Sequence, residues 1–170
     1  WVVAPDRQCS AMSQCITVRG ELAVRKREFP VEGVHAYSVT GTPADCVKVA
    51  LLHILPQKPD IVFSGINFGY NAGQDILYSG TVGAAVEALS NGIPAIAFSN
   101  EANDIYDVVE KYLLLIAKDL SGRSLPSDTL WNVNFPGCSL EDYQGILENR
   151  IPADTQFYQD YYEVKEQSEN

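Results

Sequence analysis

Apolar runs typical of buried strands alternate with helical patterns along most of this chain. The clearest example is the β-branched run Asp60 to Ile66, which is followed by a glycine-rich loop and then by a helical pattern. In that pattern Val82, Ala85, Val86 and Leu89 recur on one helical face. Strands that alternate with helices form βαβ units, in which a parallel sheet is covered by helices on both faces. The chain is therefore predicted to have an α/β fold with a mainly parallel sheet.

The segment Thr42 to Pro56 carries the signals of a helix start and stop. Thr42 supplies a capping hydroxyl, Pro43 takes the first helical position, and Asp45 follows the cap by three residues. Asp45 is therefore predicted to be a structural residue. The remaining patterns predict strands at Trp1 to Ala4, Gly33 to Val39, Ala95 to Ser99 and Leu130 to Phe135, and an amphipathic helix at Asp104 to Leu120. The first of these strands, like Asp60 to Ile66, is predicted to be buried.

Two further segments are predicted to extend from the domain. Ser13 to Phe29 alternates loosely and has a turn signal at Arg19-Gly20, which predicts a β-hairpin. Its second arm carries the basic run at 25–27, so this arm is expected to face solvent or another subunit. After Pro136 the pattern gives way to an acidic, aromatic-rich tail. This tail is either a docked extension or part of something longer.

Length and charge limit the classes of function. The 170 residues suffice for one domain with a buried core. The formal net charge of −10 argues against unspecific binding to a nucleic-acid polymer, which needs a basic surface. The first residues resemble the middle of a buried strand, and the end is equally abrupt. We therefore predict a single domain, 1–170, that is incomplete at both ends.

The cysteines and histidines predict no zinc site. None of the four cysteines forms a CxxC pair, and His35 lies far from His53 in the sequence. Reduced thiols fit best, because a chain of this size does not need disulfides, and a cytoplasmic protein is expected. No apolar stretch reaches the length that spans a membrane, so no membrane partner is expected.

The end of the glycine-rich loop is a candidate phosphate site. Ligands of open parallel sheets bind outside the carboxyl ends of the strands, where this loop begins. Ser79, Gly80 and Thr81 lead directly into the helical pattern, so backbone N–H groups and two hydroxyls meet at its positive end. The alternative is that Ser79 or Thr81 is an ordinary N-cap. No Walker A lysine follows the glycines.

Other polar residues are predicted at the same sheet edge. Asn67 offers a neutral oxygen to a divalent ion or a phosphate, and its alternative role is an Asx turn. Ser10 follows the first strand and can point its hydroxyl at this edge, or it is a plain surface serine. Asp75 remains ambiguous from the sequence.

Five segments together resemble the SurE family of survival-protein nucleotidases in order and spacing. They are VVAPDRQCS, TGTPADCV, SGINFGYNAGQDILYSGTVGAAVEA, GIPAIAFS and NVNFP. The resemblance covers residues 1 to about 136, and more loosely the residues beyond. It implies a Rossmann-like domain of three αβα layers, with a β-hairpin and a C-terminal extension used in subunit exchange. It also implies a homo-oligomer, a dimer or a tetramer.

The resemblance also implies roles for individual residues. Ser10 and Asn67 correspond to metal ligands, whereas Ser79, Gly80 and Thr81 correspond to the phosphate site, which Asn67 also contacts. The implied cofactor is Mg²⁺ or Mn²⁺, which would activate a water and offset phosphate charge. The family's adjacent aspartate pair, which follows its first strand, is absent from this sequence, as is the closing part of the fold.

Three functions are therefore considered. The first is a metal-dependent phosphomonoesterase that hydrolyses nucleoside 5′- and 3′-monophosphates to nucleoside and phosphate, with Asn67, Ser79 and Thr81 as catalytic residues. The second is a phosphate- or nucleotide-binding domain that does no chemistry. The third is an assembly module that acts through the hairpin and the tail.

Overall fold

A computed structural model describes residues 1–124, 126, 128–158 and 162–163, which include six strands and three α-helices. The strands are β1 (Val2–Pro5), β2 (Val24–Arg27), β3 (Ala36–Val39), β4 (Val62–Phe68), β5 (Ala95–Asn100) and β6 (Trp131–Phe135). The helices are α1 (Pro43–Val49), α2 (Gly80–Ser90) and α3 (Asp107–Gly122). A π-helical segment (Ala50–Ile54) continues α1, and a 3₁₀ turn (Gln74–Leu77) precedes α2.

The described strands form two three-stranded sheets. In the first, of order β1-β3-β2, β1 is parallel and β2 antiparallel to β3. In the second, of order β4-β5-β6, all strands are parallel. The mainly parallel α/β fold predicted from the sequence is confirmed.

Helices cover both faces of the second sheet. Ala95 and Ala97 of β5 belong to the apolar cluster that α2 forms through Val82 and Ala85. The alternate β5 residues, which include Phe98, belong to the cluster formed with α3. Because successive side chains of a strand point to opposite faces, β5 lies between two helical layers. The arrangement is Rossmann-like, and it leaves the carboxyl ends of β4 and β5 next to the start of α2.

The capping box predicted for α1 is present. Thr42 Oγ1 accepts a hydrogen bond from Asp45 N (3.1 Å), and Asp45 Oδ2 accepts one from Thr42 N (3.0 Å). α1, α2 and α3 also lie close to their predicted positions. No helix within the described ranges has both the length and the apolar character needed to cross a membrane.

The predicted hairpin at 13–29 is wrong in its strands. Only β2 forms within this range, and its antiparallel partner is β3 rather than an arm before Arg19-Gly20. Residues 13–17 instead direct backbone and side-chain groups to α1, to α2 and to the turn before α2, for example Ser13 N to Tyr78 O at 2.8 Å. Because these groups are already used, they are not available for a hairpin ladder. The exposed second arm is confirmed, since every residue of β2 is exposed.

The predicted burial of two strands is also wrong. β1 alternates between exposed and partly buried residues, and Phe63, Ile66 and Phe68 of β4 are exposed. Among the described strands, β1 pairs only with β3, and β4 pairs only with β5. Each is therefore an edge strand, which has a neighbour on one side alone. The single domain with incomplete ends stays a prediction.

Candidate active site

The start of α2 forms the centre of the candidate site. Ser79 is the N-cap, and its Oγ accepts a hydrogen bond from Val82 N at 3.1 Å. The N–H groups of Gly80 and Thr81 lie in the first helical turn, where an α-helix provides no partner for them. These groups carry the positive end of the helix dipole. Ser79 therefore has the capping role that the sequence left open, and the N–H groups beside it can bind an anion.

Asn67 and Thr81 are brought together by the fold. Thr81 Oγ1 donates a hydrogen bond to Asn67 Oδ1 at 3.3 Å, and Asn67 Nδ2 donates one to Gly69 O at 2.8 Å. In an Asx turn the side-chain oxygen would accept from the backbone two residues later, but here it accepts from α2. The contact joins the end of β4 to the start of α2 and makes one polar surface of the two.

The segment containing Ser10 packs against the same helix start. Ser13 Oγ donates to Leu77 O at 2.7 Å, and a Cβ on Gly80 would lie 3.1 Å from Cys9 O. Ser10 itself is exposed, and its Oγ accepts a hydrogen bond from Gln8 Nε2 at 2.9 Å. The fold thus brings the segment of Ser10 to the site. Among the hydrogen bonds of the described residues, none joins Ser10 to Asn67.

A glycine in α2 permits this close approach. A Cβ at Gly83 would collide with the carbonyl oxygen of Ser13. Because the clash is with backbone rather than with a flexible side chain, a larger residue could not be accommodated without moving the segment. Sequence analysis assigned no role to Gly83.

Two buried carboxylates hold the segment in place. Asp45 accepts hydrogen bonds from Thr17 N (2.9 Å) and Thr17 Oγ1 (2.7 Å) in addition to the capping bond. Glu87 of α2 accepts one from Gln14 Nε2 at 2.9 Å and pairs with Lys48 at 3.3 Å. Burial raises the pKa of Asp45, but the hydrogen bonds from Thr42 and Thr17 outweigh it and keep this pKa below its ordinary value. The structural role predicted for Asp45 is confirmed.

An asparagine cluster fixes the glycine-rich loop to the sheet. Asn71 N donates to Asn134 Oδ1 (2.9 Å), and Asn71 Nδ2 donates to Ser99 Oγ (2.7 Å). Asn71 O accepts from both Asn132 Nδ2 (2.8 Å) and Asn134 Nδ2 (3.0 Å). Sequence analysis missed these residues. The available signal was the alternation Asn132, Asn134 in a strand, which places two amides on one face.

The residues present do not complete a metal site. Ser10 and Asn67 offer neutral oxygens, which suit a hard divalent ion. Within the described ranges, however, no group of three or more His, Cys, Asp or Glu residues could hold a metal ion. A hard divalent ion is normally bound through at least one or two carboxylates. Asp75, which was ambiguous, contacts the C-terminal tail through Phe157 N and Tyr158 N.

Comparison with known proteins identifies similar chains. The family model for Survival protein SurE matches residues 1–156. The protein named 5′-nucleotidase SurE from Carboxydothermus hydrogenoformans is 45% identical over 155 residues, which cover 88% of this chain and 58% of that protein. Its namesake from Thermosipho africanus is 40% identical over 166 residues, or 96% of this chain and 64% of that protein.

A solved structure shares the fold. The SurE protein from Aquifex aeolicus superposes with a TM-score of 0.74 at 40% sequence identity, over 86% of this chain and 58% of that chain. The present chain therefore spans less than two thirds of the length of the relatives it matches.

Proposed function

The chain belongs to the SurE family, and on that premise we propose that it is part of a 5′-nucleotidase. The reaction is the hydrolysis of a nucleoside monophosphate to nucleoside and phosphate. The observation that carries the proposal is the hydrogen bond from Thr81 to Asn67. It joins the carboxyl end of a parallel strand to the N-terminus of a helix, and each of these is a favourable place for a phosphate group.

The phosphate is proposed to bind at the start of α2. The N–H groups of Gly80 and Thr81 face its non-bridging oxygens, and the hydroxyl of Ser79 adds a neutral donor, while the hydroxyl of Thr81 orients Asn67. Local donors of this kind matter in a chain whose formal net charge is −10, because the overall field repels an anion. Asn67, which is hydrogen-bonded to Thr81, also contacts the phosphate.

The catalytic contribution of these residues is positioning and charge stabilisation. In hydrolysis a water oxygen forms a bond to phosphorus while the bond from phosphorus to the nucleoside oxygen breaks. Negative charge is spread over the phosphoryl oxygens during this exchange. Donors fixed at the helix start, with Asn67 oriented by Gly69 O, stabilise that charge without having to reorganise.

Dependence on Mg²⁺ or Mn²⁺ is part of the proposal. The neutral oxygens of Ser10 and Asn67 would be two of the ligands, and carboxylates would have to complete the set. Because the described residues group no such carboxylates, no step is assigned to the ion. Activity on 3′-monophosphates, a cytoplasmic location and assembly as a dimer or tetramer are proposed on the family resemblance alone.

A second candidate is a phosphate-binding domain without catalysis. It is favoured by the lack, within the described ranges, of a cluster of acidic residues that could hold a metal ion. The use of Ser79 Oγ as a helix cap also favours it. Phosphate affinity without turnover would identify it.

The test compares hydrolysis of nucleoside 5′-monophosphates by the natural protein that contains this sequence, with excess Mn²⁺, before and after Asn67→Ala. Turnover is expected to fall by about 100-fold or more, which is typical when a preorganised donor is removed. The melting temperature should change by only a few degrees. Ser90→Ala, at the opposite end of α2, is the control and should leave turnover unchanged. Full turnover in Asn67→Ala would refute the proposal.

A further inference from the structure

Part of the acidic, aromatic-rich tail, residues 153–158, packs on the glycine-rich loop just before the phosphate site. From here on, 'the tail' means these residues. Gln156 forms an isolated antiparallel bridge with Gly73. Gln74 N donates to Thr155 O at 2.9 Å, and Gln74 Nε2 donates to Asp154 O at 2.6 Å. These contacts involve the 3₁₀ turn that leads into Ser79. Residues 153–158 are therefore docked, which agrees with the first of the two alternatives for the tail; residues 159–161 and 164–170 lie outside the described residues.

Asp75 is the anchor of the tail. Its Oδ2 accepts hydrogen bonds from two successive backbone groups, Phe157 N at 2.6 Å and Tyr158 N at 2.9 Å. Hydrogen bonds to an ionised carboxylate are about twice as strong as neutral ones. The carboxylate thus fixes the backbone, and with it the direction of the two aromatic side chains.

The tail places aromatic rings in a cluster that remains open to solvent. Phe157 packs edge-on against Tyr70, with ring centroids 5.6 Å apart, and Tyr158 packs edge-on against Phe157 at 5.0 Å. Tyr70 is itself held by a hydrogen bond from its hydroxyl to Glu101 Oε2 at 2.9 Å. Burial and this hydrogen bond raise the pKa of Tyr70 above its ordinary value. Tyr70 is half-buried, whereas Phe157 is 55% exposed and Tyr158 is 44% exposed.

The cluster adjoins the phosphate site. A Cβ on Gly69 would lie 2.9 Å from Tyr158 Oη and 3.9 Å from Asn67 Nδ2. Both atoms therefore lie beside the same glycine. Gly69 also has a positive φ of 115°, so a residue with a side chain would be strained there and would fill the space.

We propose that Phe157 and Tyr158 bind the nucleoside part of the substrate and that Asp75 is the positioning residue that holds them. The inference rests on the proposed function. A nucleoside monophosphate bound at the start of α2 must place its base outside the phosphate site. The exposed rings of Phe157 and Tyr158 offer it a stacking surface, and the Tyr158 hydroxyl lies beside Gly69, two residues from Asn67. Stacking on aromatic side chains is tolerant of base identity, because every base has a π-face.

The first experiment uses the natural protein that contains this sequence and measures its affinities for adenosine 5′-monophosphate and for inorganic phosphate by NMR titration. Phe157→Ala and Tyr158→Ala are expected to weaken binding of the nucleotide by about fivefold or more, in line with the loss of one stacking contact. Phosphate affinity should change less than about twofold, which also shows that the variants are folded. Tyr162→Ala is the control, since Tyr162 is 94% exposed and lies beyond the contacts described above.

The second experiment tests whether Asp75 acts by anchoring the tail or merely by its negative charge. Asp75→Ala should produce the same selective loss of nucleotide affinity, because the tail loses its carboxylate acceptor. Asp154→Ala removes the same charge but keeps the backbone carbonyl that contacts Gln74, so it should leave both affinities unchanged. If all variants keep the original ratio of nucleotide to phosphate affinity, the inference is wrong and the proposed function stands. If the unmodified chain binds neither ligand, both fail.

Discussion

Two segments meet at the start of α2, and they are held there by different chemistry. Residues 9–17, with Ser10, are held by the buried carboxylates of Asp45 and Glu87. The glycine-rich loop is held by the neutral amide of Asn71 and by the docked tail, which the partly exposed carboxylate of Asp75 anchors. Asp45 lies buried in the first turn of α1, and Glu87 of α2 pairs with Lys48 of α1, whereas Asn67 is half-buried and Tyr158 is exposed.

Because of this difference, substitutions in one segment should mainly affect stability, and substitutions in the other should mainly affect ligand binding. A buried carboxylate that accepts several N–H groups leaves those groups unsatisfied when it is removed, and each one adds to the loss. A neutral amide clamp at the edge of the sheet carries less energy, but it fixes the groups that contact a ligand. Substitutions in the first segment are therefore expected to lower the free energy of unfolding. Substitutions in the second should chiefly lower ligand affinity, for phosphate at Asn71 and for the nucleotide at Asp75.

The largest effect is expected from Gly83→Ala. The new Cβ would collide with the Ser13 carbonyl, so either α2 or the segment 9–17 must shift. We expect a loss of more than about 3 kcal/mol in the free energy of unfolding, measured with urea, because backbone cannot relax as a side chain can. The control is Gly122→Ala, where a Cβ meets nothing within 4 Å. Equal effects at the two glycines would show that the close approach is not what limits position 83.

Asp45→Ala should have the next largest effect. It leaves the N–H groups of Thr17 and Thr42 without their acceptor, and a loss of about 3 kcal/mol in unfolding free energy is expected. Asp60→Ala removes the same charge from an exposed position and should change stability by less than about 0.5 kcal/mol. A small effect of Asp45→Ala would mean that the segment is held mainly by Glu87 and Ser13.

Asn71→Ala tests the neutral clamp. It removes the contact to Ser99 and is expected to lower the unfolding free energy by about 1 to 2 kcal/mol, while weakening phosphate affinity as the loop loosens. Ser99→Ala removes the same contact from the sheet side and should have a similar or smaller effect. The contrast with the first segment fails if phosphate affinity, measured by titration, is unchanged in both variants.

Thr81→Val probes the phosphate site with little change of shape. Loss of the hydroxyl removes the hydrogen bond to Asn67 Oδ1, which orients Asn67 toward the anion. Phosphate affinity is expected to fall by about 1 kcal/mol or more, with little change in unfolding free energy. A large loss of stability with unchanged affinity would assign Thr81 to structure instead.

The smallest expected effect is a pH dependence of the free energy of unfolding, which arises from Asp45 and so from the first segment. Because the pKa of Asp45 is lowered in the folded state, its stabilisation is present above the pKa of the unfolded state, which is near the ordinary value of 3.8. It is lost as the pH falls through the folded pKa. The stability difference between the unmodified chain and Asp45→Ala should therefore be constant above about pH 5 and shrink below about pH 4. Urea unfolding curves across this range would test it, and a constant difference throughout would contradict it.

The sequence by itself determined the elements whose signals are local. The start of α1 needs only Thr42, Pro43 and Asp45, and the start of α2 needs Ser79 and the glycine after it. Capping bonds join atoms within three residues, so the spacing of residue types suffices to predict them. The same holds for the alternation of strands and helices, which predicted the α/β fold.

Only the tertiary structure decided which of these elements meet. The contact between Thr17 and Asp45 spans 28 residues and that between Asp75 and Phe157 spans 82, so no local pattern encodes them. The hairpin prediction failed because the alternation of apolar and polar residues at 13–18 does not show which partners their hydrogen-bonding groups find in the folded chain. The burial predicted for β1 and β4 failed for a related reason. Whether an apolar strand is covered depends on the strands beside it, and strand order is a property of the folded sheet rather than of any one segment.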